Sequence, residues 1–506
     1  MSGPADLTNL LASGLADRPG QPALISGRRV RTWEQLEQDI ATLAAGLTAL
    51  GLQQGDRVAS LVPNRGELLL HYLACLRAGL VVAPLNYRYT PAEIDHALDV
   101  SQSSVLVAHA ERADDVRASA LASRLTLGVV SVGGALDDAR RFEDLLSSDE
   151  PTVDLPTPDF GAAAFVFFTS GSTGKPKGVT HSLSSFGCIA SGWAESMALT
   201  VDDVVLPGSS IAHVGSLATS LAALSAGATV IVPHSLDPAD LLLLLREHRP
   251  THLLTTSASL ISLGRLDDAA PDDFASLRLC MSGGDTFPPN LAREFADRTG
   301  AVVHQTYGLT EATSCMFNAS ATKVGSPGVL CPGYAASLRD ERGQEVAVDV
   351  EANLWVSGDP VMVGYWRDPH ATAASIVDGW FDTGDVMRVD AEGYFWFCGR
   401  KKQIIVHDGS NIAPQEVEAA VMTHPAVELA GVVGVPDEVH GENVWAFVTL
   451  KEGVEAPPAE DIIQAAKGKV GYKAPEAVLV LDAMPMNASG KVDRLALSRL
   501  AADRLG

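Results

Sequence analysis

Positive charge is in short supply: 37 Lys and Arg stand against 62 Asp and Glu, a formal net charge of −25 over 506 residues. A chain this acidic repels polyanions, which argues against nucleic acid or anionic membrane as its main partner. A phosphate ligand is still compatible. Surface charges are screened beyond about 8 Å at physiological salt, whereas a lysine about 4 Å from a phosphate contributes about 4 kcal/mol at an effective dielectric near 20. Such a site must supply its own cations and backbone N–H donors. Cysteine is also sparse. Cys75, Cys188, Cys280, Cys315, Cys331 and Cys398 form no CxxC or Cys/His spacing, so no structural zinc is expected. Most lie in apolar or glycine-rich runs and read as buried free thiols in a reducing compartment. No basic region followed by an apolar stretch opens the chain, so no signal peptide is expected and the cytoplasm is the expected location. The longest uncharged run, Pro207 to Leu236, is broken by Gly208, Gly215, Gly227 and Pro233. It reads as a buried helix and strand, not a membrane span. Fixed-period repeats and low-complexity segments are absent.

What is present is a long chain with 46% hydrophobic residues, enough for large cores and for more than one domain. Thr32-Trp33-Glu34-Gln35 is a capping box. After it, Leu36, Ile40, Leu43, Leu47 and Leu50 share one helical face, which Gly51 ends. Short apolar runs at Val58–Val62, Val81–Ala83, Val105–Val107, Phe165–Phe168 and Thr229–Val232 read as buried strands, with a helix from Glu67 to Arg77 among them. Strands separated by helices predict parallel sheets with covered faces. Beyond a strand at Gly393–Phe397, a compact αβ pattern follows Gly399. The expected fold is α/β: a large N-terminal domain (1–398) of parallel sheets covered by helices, plus a small mobile α+β C-terminal domain (399–506).

Four segments carry chemistry. After the strand at Phe165–Phe168 comes Thr169, Ser170, Gly171, Ser172, Thr173, Gly174, Lys175, Pro176, Lys177, Gly178. Its glycines let the backbone aim N–H groups at one anion, and hydroxyls and two lysines add donors and charge. This is a polyphosphate cradle, although not the kinase-type P-loop, which needs Ser or Thr after Gly-Lys; the competing reading is a Ser/Gly surface loop. The second segment is Gln305, Thr306, Tyr307, Gly308, Leu309, Thr310, Glu311. It offers an aromatic face for a base, a hydroxyl for a phosphate and a carboxylate for Mg²⁺, or an ordinary loop with a capped helix. Upstream, Ser282-Gly283-Gly284-Asp285 permits close backbone approach to a flat ligand. The third is Asp382-Thr383-Gly384-Asp385 with Gly399-Arg400, suited to a ribose diol or to an Asx-turn between strands. The fourth is Pro485 to Arg494, where Lys491 sits on a glycine-flanked loop and is, taken alone, a surface lysine.

In this order and spacing the four segments resemble the superfamily of acyl-CoA synthetases, nonribosomal peptide adenylation domains and beetle luciferases, nearest to acyl-CoA synthetases. The resemblance covers nearly the whole chain. It implies an acid–thiol ligase that activates a carboxylic acid with ATP to acyl-AMP, releases pyrophosphate, and loads the acyl group onto coenzyme A. By that resemblance the Thr169–Gly178 loop holds the β- and γ-phosphates. Tyr307 stacks near adenine, with Gly283, Gly284 and Gln305 around the base, and Asp285 and Gly308 also belong to the ATP-binding set. Thr310 contacts phosphate, Glu311 holds Mg²⁺, Asp385 and Arg400 bind ribose, and Lys491 bridges the carboxylate and the α-phosphate. Lys402 takes the hinge position, where many relatives carry Asp. The segment Asp408 to Glu418 corresponds to the loop that approaches the pantetheine tunnel.

The resemblance also places the acyl pocket at Ser209–Ala218, with His213 at a gating aromatic position and Gly215 and Ser216 beside it. Amino-acid-activating relatives carry an Asp there. None occurs between Gly208 and Ser235, and a buried unpaired ammonium is costly, so the expected acid lacks an α-amino group. The small residues there also suit plain helix–sheet packing. Fatty, aryl and natural-product acids all remain open, as does oligomeric state. Rival readings are an acyl-AMP ligase serving a separate carrier protein, a luciferase-like oxygenase, and a nucleotide sensor; the last is opposed by the filled chemical positions.

Overall fold

The computed structural model describes residues 3–147, 157, 159–169, 176–284, 287–401, 403–407, 410–437, 439–487 and 491–505. The chain divides into two compact units. The first comprises Met1–Phe287, Leu291–Ala336 and Val356–Phe381; the second comprises Pro288–Asn290, Ser337–Trp355 and Asp382–Gly506.

Two large sheets build the first unit. The nine-stranded sheet runs, edge to edge, through Val329–Leu330, Ala312–Phe317, Val303–Leu309, Leu279–Gly283, His252–Thr256, Val204–Pro207, Thr229–Val232, Pro22–Ser26 and Arg29–Thr32. Neighbours from Val303–Leu309 to Pro22–Ser26 are parallel, and antiparallel strands finish both edges. The eight-stranded sheet runs through Gly364–Tyr365, Gly178–Ser182, Ala163–Phe168, Val81–Pro84, Arg57–Leu61, Val105–His109, Val129–Val132 and Arg140–Arg141. It too is parallel except at one edge, where Gly178–Ser182 and Gly364–Tyr365 run antiparallel. Central strands such as Val105–His109 are buried throughout, as both-face coverage requires.

The capping box forms as read: the Thr32 hydroxyl accepts from Gln35 N, and the Gln35 side chain accepts from Thr32 N. The helix Trp33–Ala49 buries Leu36, Ile40, Leu43 and Leu47. The uncharged run becomes helix Val214–Ser225 and strand Thr229–Val232. That helix packs on Leu183–Ser196, where Trp193 Nε1 donates to Thr219 Oγ1 at 2.9 Å. Among the described residues, no helix is long and apolar enough to cross a membrane. Four cysteines are buried, and Cys188 and Cys398 are half-buried. Burial pushes the Cys280 and Cys331 thiols up to about 12, so neither supplies a thiolate at neutral pH.

His71 lies in the core on helix Gly66–Arg77, 3.6 Å from Cys75 Sγ, and burial lowers it from 6.5 to about 3. Below pH 6.5 the unfolded chain takes up a proton that the native chain refuses. Stability therefore falls with pH across 6.5 to about 3, by up to about 1.4 kcal/mol per pH unit from this group. Urea midpoints at pH 7 and pH 5 should converge in His71→Leu relative to the parent. Parallel pH slopes in the two proteins would remove this assignment.

The second unit holds a mixed sheet ordered Ser410–Ile412, Ile405–His407, Gly441–Leu450 and Val427–Asp437, with Ala477–Val480 added parallel to Gly441–Leu450. Helices Pro414–Val421, Ala459–Val470 and Arg494–Leu505 accompany it. One expected strand shifts. The run read at Gly393–Phe397 begins at Phe395, because Gly393, at φ +84°, closes a turn whose Asp390 carbonyl accepts its N–H.

Candidate active site

The segment read as a phosphate cradle links two antiparallel strands. Phe168 pairs with Gly178 across antiparallel strands, and Thr169 N donates to Lys177 O. Ser170, Gly171, Ser172, Thr173, Gly174 and Lys175 lie outside the described residues, as do Asp285 and Lys402. The exit of the loop is held from several sides. His96 Nε2 lies 2.8 Å from Pro176 O, Trp366 N donates to Gly178 O, and the Lys177 ammonium stands 4.8 Å above the Tyr365 ring.

Thr310 and Glu311 form the tip of a hairpin, between Val303–Leu309 and Ala312–Phe317. No helix starts there, so the capped-helix reading falls. The ladder is bulged between Tyr307 and Leu309, and Gly308 sits at the bulge. A Cβ there would lie 2.6 Å from Ser314 N and 3.3 Å from Ala312 O, so only glycine fits. Gln305 is buried and donates from Nε2 to Phe287 O at 3.0 Å. Tyr307 is half-buried on the same strand, and Gly283 ends the neighbouring parallel strand, with Gly284 following it.

Two residues outside the expected set fix this hairpin tip. His181, fully buried on Gly178–Ser182, places Nε2 2.8 Å from Thr310 O. Burial lowers His181 to about 4, so the ring is neutral at pH 7 and donates to that carbonyl. Tyr365 OH donates to Glu311 Oε1 at 3.0 Å, and Met362 N donates to Glu311 O at 2.8 Å. Burial, and then the Glu311 charge, push the Tyr365 phenol up, so it remains a neutral donor. The Glu311 carboxylate is a hard oxygen donor and fits Mg²⁺, which is typically held by one or two carboxylates plus phosphate oxygens.

In the acyl region, Asn64 is a further residue that the sequence did not bring forward. Its side chain accepts from Ile211 N at 2.9 Å and donates to Ser209 O at 3.0 Å, clamping the loop before helix Val214–Ser225. Ser209 and Ser216 hydroxyls bond to each other. His213 is the half-buried N-cap residue. A Cβ on Gly215 would meet nothing within 4 Å, so there the small residue leaves open space, not tight packing.

The second unit carries the remaining candidates. Asp385 and Arg400 face each other across the hairpin of Trp380–Val389 and Phe395–Arg400, with Arg400 Nε donating to Asp385 Oδ1 at 2.7 Å. The Asp385 side chain is 1% exposed and Arg400 is 46% exposed. Asp382 Oδ1 accepts from Gly384 N at 2.9 Å, so the Asx-turn bond is present, although inside a strand and not between strands. Lys491 is exposed. Its loop is closed on both sides by Asn487: Lys491 N donates to Asn487 Oδ1 at 3.1 Å, and Asn487 N donates to Lys491 O at 2.8 Å. Arg494 then pins the loop by donating to both Glu418 carboxylate oxygens at 2.8 Å.

The sequence matches the AMP-binding enzyme family model over residues 12–366, and the AMP-binding enzyme C-terminal domain over 416–491. A feruloyl-CoA synthase from Amycolatopsis sp is 36% identical, with 94% of each chain covered. The 4-coumarate–CoA ligase 3 of Oryza sativa subsp. japonica is 32% identical, covering 96% of this chain and 91% of the relative. The crystal structure of ATP-bound MatB from Rhodopseudomonas palustris superposes with a TM-score of 0.90 at 28% identity, over 99% of this chain and 100% of that one. With one family model spanning most of the first unit and its partner model most of the rest, this chain belongs to the AMP-binding enzyme family.

Proposed function

We propose that the chain is an AMP-forming acid–thiol ligase: it condenses ATP with a carboxylic acid lacking an α-amino group, then passes the acyl group to coenzyme A. The observation that carries this reading is the link, within the first unit, between Lys177 at the foot of one pair of strands and Glu311 at the tip of another. The exit of the phosphate loop, at Lys177, meets Tyr365, which in turn bonds Glu311. A carboxylate attacks a polyphosphate poorly because like charges repel. Lys491 and the lysines of the 169–178 loop supply the opposing charge. Thr310 adds a hydroxyl, and Glu311 is the residue for Mg²⁺, which when bound disperses phosphate charge. The acid's oxygen bonds to the α-phosphorus as the bond to pyrophosphate breaks. The thiol sulfur then bonds to the acyl carbon, and AMP leaves. Asp385 and Arg400 take the ribose, and Tyr307, Gln305, Gly283, Gly284, Asp285 and Gly308 take the base. We also place the functional division at 1–398 and 399–506, with Lys402 at the hinge.

For the acid we favour an aryl compound. Relatives named for ferulate and coumarate support it, as does the open space at Gly215, and the absence of acidic residues from 208 to 235 supports an acid without an α-amino group. The names of the relatives favour coenzyme A over a carrier protein as acceptor. A pyrophosphate-release screen over aryl, fatty, dicarboxylic and amino acids, with and without coenzyme A, tests all of this. Strongest turnover with an amino acid would reject the substrate class, and acyl-AMP that persists in the presence of coenzyme A would reject the acceptor. Gly215→Val should leave the melting temperature unchanged and lower kcat/KM for bulky acids about 10- to 200-fold relative to small ones, the range for pocket-size discrimination. An unchanged acid profile would take Gly215 out of the pocket.

A further inference from the structure

Tyr365 lies outside every motif described above, yet it touches two of them. The strand Gly364–Tyr365 pairs antiparallel with Gly178–Ser182, Tyr365 opposite Val179. The backbone around it is tied at each step. Met362 N donates to Glu311 O, Val363 N to Thr180 O, Tyr365 N to Thr372 Oγ1 and Trp366 N to Gly178 O. With its backbone fixed, the side chain has two functional contacts: its hydroxyl reaches Glu311 Oε1 at 3.0 Å, and its ring face lies 4.8 Å from the Lys177 ammonium. A phenol bonded to one carboxylate oxygen restricts rotation of the glutamate, and an aromatic face attracts a cation that would otherwise range through solvent.

We propose that Tyr365 is a positioning residue for adenylation, its hydroxyl orienting Glu311 toward the divalent cation of the nucleotide and its ring holding Lys177 at the root of the phosphate loop. This rests on the ligase reading above. The two contacts separate by substitution: Tyr365→Phe keeps the ring and removes the donor, whereas Tyr365→Leu removes both. The probe is Mn²⁺, titrated by electron paramagnetic resonance with α,β-methylene ATP present; nucleotide binding is measured separately in EDTA by calorimetry. Tyr365→Phe should weaken Mn²⁺ binding about 10- to 100-fold, the range for a group that orients a metal ligand. It should leave nucleotide binding in EDTA and the KM for the acid unchanged. Tyr365→Leu should weaken nucleotide binding in EDTA as well. In a Glu311→Gln background, Tyr365→Phe should add no further loss of Mn²⁺ affinity. Parental Mn²⁺ affinity in Tyr365→Phe overturns the role of Tyr365 alone, as does equal weakening with and without cation, which marks a merely structural residue. Failure of the unsubstituted chain to bind the nucleotide overturns the ligase reading with it.

Discussion

Lys491→Ala should lower pyrophosphate exchange by at least about 10²–10³-fold, the usual loss when one group stabilising developing charge is removed. Thioester formation from supplied acyl-AMP should continue at the parental rate. The asymmetry follows from the chemistry: the first half-reaction brings two anions together, whereas the second brings a thiol to a mixed anhydride that has already lost pyrophosphate. Lys491 is exposed, and Asn487 bonds to its backbone N–H and carbonyl, so truncating the side chain leaves those two bonds and the Arg494–Glu418 anchor in place. Single-turnover measurement of each half-reaction decides the matter. Equal loss in both would mean that Lys491 serves binding or folding, not the first step.

Gly308→Ala is the second large effect. Its Cβ would press on the backbone of the facing strand at 2.6 Å, and backbone does not yield as a flexible side chain does. Overpacking of this kind costs about 1–3 kcal/mol. The strain falls at the root of the tip that carries Thr310 and Glu311, so pyrophosphate exchange should drop with the melting temperature. Gly468→Ala is the contrasting control. Gly468 is exposed in helix Ala459–Val470 with nothing within 4 Å of its Cβ position, so alanine there should stabilise by about 0.5–1 kcal/mol. If Gly308→Ala matched the control in stability and exchange, the bulge would not demand glycine.

Local pattern made much of this molecule readable. Period and capping placed Trp33–Ala49, and short apolar runs placed the central parallel strands. Residue type at three segments brought forward Thr310, Glu311, Asp385, Arg400 and Lys491 as candidates. What stayed hidden is long-range. His181 meets Thr310 across 129 residues, Asn64 meets Ile211 across 147, and Tyr365 meets Glu311 across 54. No window of local periodicity spans such distances, and a lone His, Asn or Tyr has no signature. The tip at Leu309-Thr310-Glu311 was ambiguous for a different reason. A Thr followed by an acidic residue suits a helix start as well as a hairpin turn, and only the pairing of Thr306 with Phe317 decides between them.

One consequence concerns ionic strength. In kinase-type loops the chain leaves the phosphates through a helix, whose aligned peptide dipoles contribute about half a positive charge at the anion. In the assignment proposed here the loop at 169–178 is followed by the strand Gly178–Ser182, and strands in a sheet have little net dipole. On the proposed assignment, the attraction for triphosphate lacks that helix-end contribution and leans, beyond the loop's own N–H groups, on the full charges of lysine side chains, which mobile ions shield. Nucleotide affinity in this protein should decline steeply as potassium chloride is raised, in a chain whose own net charge of −25 already opposes the ligand's approach.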